Sequence, residues 1–136
     1  MIYLDASAIV PLFVIEPSSV EARARLLDAT LITSPLSLAE ASSAIARRVR
    51  MGEILAAHAE ATLKMLDAWA AGAVAACEIT GEDLIEATQL IGRFDLALRT
   101  PDALHIAIAA RLGAKLVTYD AKMAAAASAL GVETAP

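Results

Sequence analysis

Asp5, Glu40, Asp102 and Asp120 each stand where a short apolar run gives way to a helical pattern, or within the first turn of that pattern. In a parallel α/β sheet such junctions all lie along one edge, so acids spread from Asp5 to Asp120 would meet in one crevice. Carboxylates held together repel one another, and a hard divalent cation such as Mg²⁺ or Mn²⁺ relieves that repulsion. The expected chemistry is metal-dependent work on a phosphate-bearing substrate.

Every one of these acids also has a purely local explanation. Asp5 or Ser7 suits the cap of a first helix. Glu40 follows Ser37 by three, the spacing of a capping box. Asp102 follows a Thr-Pro start, where the helix dipole favours negative charge, and Asp120 is a natural N-cap. The two explanations coexist, because a helix N-terminus favours the ionised carboxylate and only that form ligates a hard cation well. Capping leaves unexplained why the acids occupy the junctions that share an edge, while helix starts at Ser18 and Thr80 are not acid-led in the same way.

The elements that must position them follow from hydrophobic period and punctuation. Met1 to Leu4 is a short buried strand, followed by a brief helix through Ala8 to Val14, interrupted near Pro11. Ser18 with Glu21 forms a capping box for a helix reaching about Asp28. Leu31 to Thr33 is a second strand. Ser37 opens a helix with Leu38, Ala41, Ile45 and Val49 at helical spacing up to Gly52, and another runs from Glu53 to Ala71, stopped by Gly72. Val74 to Ile79 is the clearest interior strand. Thr80 and Asp83 start a helix ending near Gly92, and Arg93 to Arg99 is a loop. Thr100 caps the next helix with Pro101 at its first position, and Gly113 ends it. Lys115 to Thr118 is a strand, Asp120 caps the last helix, and Val132 to Thr134 is a short edge strand. Strands alternating with helices imply right-handed crossovers and a parallel sheet covered on both faces. The expected architecture is a single three-layer α/β/α domain over residues 1–136, with four to five central strands.

The bulk numbers narrow the class. A hydrophobic fraction of 58% comes largely from 33 alanines, and no run approaches the roughly 20 apolar residues of a membrane span. The start, MIYLD, reaches an acid within five residues and has no basic region, so it does not read as a signal peptide. The lone Cys77 excludes an internal disulfide and reads as a small buried hydrophobe, consistent with a cytoplasmic protein. A net charge of −5 argues mildly against nucleic acid. The metal-site acids contribute to that total, however, and Arg47, Arg48, Arg50, Arg93 and Arg99 are grouped as a basic rim would require.

The ordered set of motifs resembles a known family. D-A-S at Asp5 to Ser7 after the first strand, Glu40 on its helix, T-P-D-A-L-H at Thr100 to His105, and V-T-Y-D at Val117 to Asp120 look like the signature of PIN-domain ribonucleases. More narrowly, the chain resembles the VapC-type toxins of toxin–antitoxin pairs. The resemblance implies that Asp5, Glu40, Asp102 and Asp120 surround one or two Mg²⁺ or Mn²⁺ ions. It implies that a metal-activated water hydrolyses an RNA phosphodiester, leaving a 5′-phosphate and a 3′-hydroxyl. Ser7 and Thr118 would orient a carboxylate or contact the phosphate. A homodimer restrained by a small antitoxin protein is the implied assembly, and an arginine from that partner among the carboxylates would inhibit by supplying positive charge.

Other polar residues read as structural. His105 shares a helix face with Asp102, with a general base as the alternative. His58 faces solvent, Asp95 makes a loop turn, with a place on the site's rim as the alternative, and Asp83 and Glu86 form the exposed side of their helix. Met65, Leu66 and Trp69 read as core, with an interface as the alternative. Three rivals stay open. A haloacid-dehalogenase-like phosphatase would need a second Asp where Ser7 stands. A receiver-like module would need an Asp where Thr80 follows the third strand. A PIN fold could also serve only as a binding module.

Overall fold

Tyr3 and Leu4 are both fully buried and feed different cores, as successive side chains of a strand covered on both faces must. The same alternation recurs at Leu116 and Val117. The computed structural model describes residues 1–14 and 29–135, so the capping box expected at Ser18 and Glu21 and its helix lie outside the described residues. Among those described, the strands are β1 (Ile2–Leu4), β2 (Leu31–Thr33), β3 (Ala75–Ala76), β4 (Lys115–Val117) and β5 (Thr134–Ala135). The helices are α1 (Ala6–Phe13), α2 (Pro35–Arg50), α3 (Ala56–Gly72), α4 (Gly81–Gly92), α5 (Thr100–Leu112) and α6 (Ala121–Ala129).

The sheet is parallel throughout, in the order β3-β2-β1-β4-β5. One core lies between the sheet and α4, α5 and α6, built on Ile106, Ile108, Leu116 and Ala127. The other lies between the sheet and α1, α2 and α3, built on Ile9, Ile45 and Leu66. The three-layer α/β/α arrangement with a central parallel sheet is as expected. Burying a Leu or Ile side chain in either core stabilises the fold by roughly 1.5–3 kcal/mol.

Three local expectations are corrected. The stretch Val74 to Ile79 does not form an interior strand, because only Ala75 and Ala76 pair, at the sheet edge, where both are exposed. Its apolar side chains Cys77 and Ile79 pack from the following loop as half-buried members of the core. The second described helix starts at Pro35 rather than Ser37, since Ser34 is the cap and its Oγ accepts the Ser37 N–H at 3.2 Å. Pro11 does not break α1, which continues to Phe13 with Pro11 buried.

Asp83 is also misplaced by the sequence pattern. It is buried, closes the capping box with Thr80, and pairs with Arg111 at 2.7 Å. Burial opposes its ionisation, but the Arg111 and Thr80 hydrogen bonds outweigh it and hold the carboxyl below its ordinary value. Of the expected Met65–Leu66–Trp69 core group, Leu66 is buried and Trp69 meets Phe13 edge-on at 5.6 Å, whereas Met65 is exposed.

Register is what matters for the chemistry. β1 and β4 are neighbours with Leu4 opposite Val117, so the next residues, Asp5 and Thr118, leave the sheet side by side. Gly113, left-handed at φ 57°, ends α5 and turns the chain into β4, with the Ala114 N–H returning to the Ala109 carbonyl at 3.0 Å.

Candidate functional site

Asp5 caps α1, accepting the Ala8 N–H at 3.0 Å. Its two oxygens also accept the Ser7 hydroxyl at 2.8 and 2.9 Å, and Oδ2 accepts the Thr118 hydroxyl at 2.8 Å. The residue is 4% exposed. Burial raises its pKa above the ordinary carboxylate value, and these hydrogen bonds only partly offset that.

Ser7 and Thr118 are the connectors that sequence left open between local and functional roles. Thr118 is buried and, besides donating to Asp5, accepts the Asp120 N–H at 3.0 Å. Ser7 accepts the Tyr119 N–H at 2.8 Å and lies 3.2 Å from the Thr118 hydroxyl. Neither caps a helix. Asp120 does, accepting the Lys122 and Met123 N–H groups through Oδ1, which leaves Oδ2 facing outwards.

Asp102 lies in the first turn of α5 and accepts the Arg99 backbone N–H at 3.2 Å. The Arg99 guanidinium folds back on the same carboxylate at 3.0 and 3.2 Å and reaches Asp120 Oδ2 at 4.0 Å. The Asp102 hydrogen bond chiefly, with the charges of Asp102, Asp120 and Glu40, holds the Arg99 guanidinium above its ordinary pKa. One arginine therefore faces three of the four acids. Its side chain is 76% exposed, so it is free to swing away at little cost.

Glu40 stands in the second turn of α2, one turn later than a start at Ser37 implied. Its Oε2 is 2.7 Å from His105 Nε2, and His105 lies one turn beyond Asp102 on α5. His105 is 2% exposed, and its Nδ1 meets the Tyr3 hydroxyl at 2.8 Å. Tyr3 is also bonded to Ser34 at 2.8 Å and Ser37 at 3.3 Å. Burial raises the Tyr3 pKa far above the ordinary phenol value, keeping it protonated.

Two adjoining clefts open at this edge. One, of about 700 Å³, is lined by Ser7, Glu40, Arg47, Arg48, Arg99 and Tyr119. The other, of about 550 Å³, is lined by Arg99, Asp102, Tyr119 and Asp120 and shares Arg99 and Tyr119 with the first. Glu40, Asp102 and Asp120 thus stand on these walls with Ser7, while Asp5 lies buried behind the Ser7 and Thr118 hydroxyls and lines neither of the two clefts. Asp95 stays apart, paired with Arg93 in the exposed loop, and His58 is exposed on α3.

The donors suit a hard cation, being carboxylates with hydroxyls beside them. A guanidinium already lies against Asp102 and Asp120, where positive charge is called for. Among the described residues, no three carboxylates or histidines are drawn together tightly enough to enclose an ion in this arrangement. The residues fit Mg²⁺ or Mn²⁺ chemically, and in this arrangement the Arg99 guanidinium stands between Asp102 and Asp120.

Sequence reasoning did not find the roles of Arg99 and Tyr3. The spacing of Arg99 three before Asp102 was the available signal for the first. A phenol in an otherwise apolar strand was the signal for the second.

Over residues 2–129 the chain matches the sequence profile of the PIN domain. No curated protein matches the chain. Among solved structures, it is similar to VapC20 of Mycobacterium tuberculosis, described as a sarcin-ricin loop cleaving toxin. The two share 19% identity at a TM-score of 0.74, over 93% of this chain and 95% of that one. It is also similar to VapBC2 of Rickettsia felis bound to a promoter DNA fragment, at 19% identity and TM-score 0.72, over 99% and 98% of the two chains. A third, FitAcB of Neisseria gonorrhoeae, shares 16% identity at TM-score 0.70, over 100% and 97%. At these identities the likeness establishes the fold.

Proposed function

Because the chain belongs to the PIN-domain family, we propose that its acidic rim makes it a Mg²⁺- or Mn²⁺-dependent endoribonuclease, acting as the toxin of a type II toxin–antitoxin pair. The observation that carries the proposal is that Glu40, Asp102 and Asp120 all face one guanidinium, with Asp5 tied to the same sheet edge through Thr118. When bound there, a divalent ion supplies a nucleophilic water at neutral pH and positive charge against the phosphate. Asp5 is held rigid by three donors and cannot turn away. Thr118 links it to the Asp120 backbone N–H, so the two residues are held side by side. Arg47, Arg48 and Arg99 on the cleft wall meet the phosphate backbone and offset the net acidity of the chain.

The toxin role is supported by the similar folds of VapC20 and of the VapBC2 complex. It implies a cognate antitoxin and a homodimer of this chain. Among the described residues no helix is long and apolar enough to cross a membrane.

The test is RNA cleavage by wild type and Asp5→Ala with Mg²⁺, Mn²⁺ or EDTA. Cleavage is expected only for wild type with metal. Cutting that survives EDTA, or that is unchanged in the variant, overturns the mechanism. Growth arrest on expression without an antitoxin, relieved by co-expressing the neighbouring small reading frame, tests the toxin role.

A further inference from the structure

A buried polar chain runs inward from the cleft. Glu40 is half-exposed on its wall, and among the described residues its hydrogen-bond partner is His105. Behind His105 stand Tyr3, Ser34 and Ser37, all buried, drawn from β1, the β2–α2 junction and α2. The proton positions follow from what each group can do. An ionised Glu40 only accepts, so His105 Nε2 donates to it, and in the neutral tautomer that donates from Nε2 the other nitrogen, Nδ1, accepts. The Tyr3 hydroxyl then donates to Nδ1, and a serine hydroxyl donates to Tyr3. Every bond points the same way, from the core to the carboxylate, so each polarises the next.

Apolar residues of similar size at positions 3 and 105 would fill the same space without desolvating a phenol and an imidazole. The chain spends polar groups there, and they end on one of the rim acids. We propose that His105 is a positioning residue, which with Tyr3 behind it fixes the Glu40 carboxylate in a single orientation at the metal-binding rim. The inference rests on the metal-dependent reading above and names two residues that reading does not use.

Partners that orient a ligating side chain typically change metal affinity by about 10–100-fold when removed. The experiment is calorimetric titration of metal-free protein with Mn²⁺, without RNA, for wild type, His105→Leu, His105→Gln, Tyr3→Phe, Glu40→Gln and the double variant His105→Leu/Glu40→Gln. His105→Leu is expected to weaken Mn²⁺ binding at least about 10-fold. Tyr3→Phe weakens it less, and His105→Gln, which keeps a donor for Glu40, restores most of it. In the Glu40→Gln background, His105→Leu has no further effect. In RNA cleavage the same variants lower kcat with KM unchanged.

Equal Mn²⁺ affinity in a folded His105→Leu protein overturns the proposal, as does an equal loss with or without the Glu40 carboxylate. If His105→Leu fails to fold, Tyr3→Phe and His105→Gln decide: wild-type affinity in Tyr3→Phe, or no recovery in His105→Gln, refutes it. A wild-type protein that neither binds Mn²⁺ nor cuts RNA removes the underlying reading instead. Wild-type binding with unaffected variants removes only the positioning role.

Discussion

Replacing Asp5 by asparagine is expected to make the protein more stable and less active. The Asp5 carboxylate is almost completely buried and has three donors, the Ser7 hydroxyl, the Ala8 N–H and the Thr118 hydroxyl. Burying an ion costs several kcal/mol, while a hydrogen bond to a charged group is worth about 1 kcal/mol more than to a neutral one. Burial wins, since the folded pKa lies above the ordinary value. The folded state therefore binds the Asp5 proton more tightly than the unfolded chain does. Its contribution is intact below the unfolded pKa, is lost as pH rises through the raised folded pKa, and stays lost above it.

An amide of the same shape avoids the charge penalty. Its oxygen keeps the Ala8 and Ser7 donors as weaker bonds, while its NH₂ cannot accept from Thr118, whose hydroxyl must turn, and both effects offset part of the gain. The balance is about 1–2 kcal/mol in favour of Asp5→Asn near pH 7.5. For a chain of this size that is roughly 3–8 °C in Tm. The assay is thermal unfolding in EDTA at pH 7.5 and again near pH 4, with RNA cleavage measured on the same preparations. The gain is expected to shrink at the lower pH, and cleavage to be lost. A variant no more stable than wild type at pH 7.5, or a gain independent of pH, refutes the reasoning.

Three further outcomes are expected. Arg111→Met strands the buried Asp83 with only its Thr80 donors and lowers stability by about 2–4 kcal/mol in urea unfolding. Because the Asp83 pKa is depressed, that loss is full above the ordinary carboxylate value and fades as pH falls through the folded pKa, and a loss below about 1 kcal/mol at pH 7 contradicts the pairing. Arg99→Gln removes the guanidinium that competes for Asp102 and Asp120, so Mn²⁺ binds about 2–5-fold more tightly by titration, and weaker binding contradicts competition. Arg47→Ala lowers the slope of log KM for RNA against log salt by about 1, and an unchanged slope places Arg47 off the substrate path.

Much of this molecule was legible in the chain because its signals are local. Asp5 and Asp120 cap α1 and α6 as written, since an N-cap needs only a short acceptor and the two or three residues after it. Thr80 and Asp83 form their capping box for the same reason, and Gly113 stops α5 because only the left-handed turn there is needed. Where packing decides, local pattern misled. The apolar run from Val74 to Ile79 has strand character, but the sheet offers it only an edge and two paired residues. Asp83 has the spacing of an exposed helical position, and it is the approach of Arg111 from another helix that makes its burial tolerable. Ser37 looked like a cap and instead lies against Tyr3, one of the contacts no spacing could announce.

What the chain alone determined is the chemistry on offer: hard oxygen donors at strand ends and in the opening turns of helices. Tertiary structure decided which of them meet. Leu4 pairs with Val117, and that register sets Asp5 beside Thr118, whose hydroxyl also takes the Asp120 N–H two residues on. The packing of α5 against the sheet brings His105 to Tyr3 and Glu40 and lays Arg99 across the acids. The physical reason is distance along the chain. A cap is closed within one turn, whereas a contact between residues sixty or a hundred apart exists only once both cores have formed around the sheet.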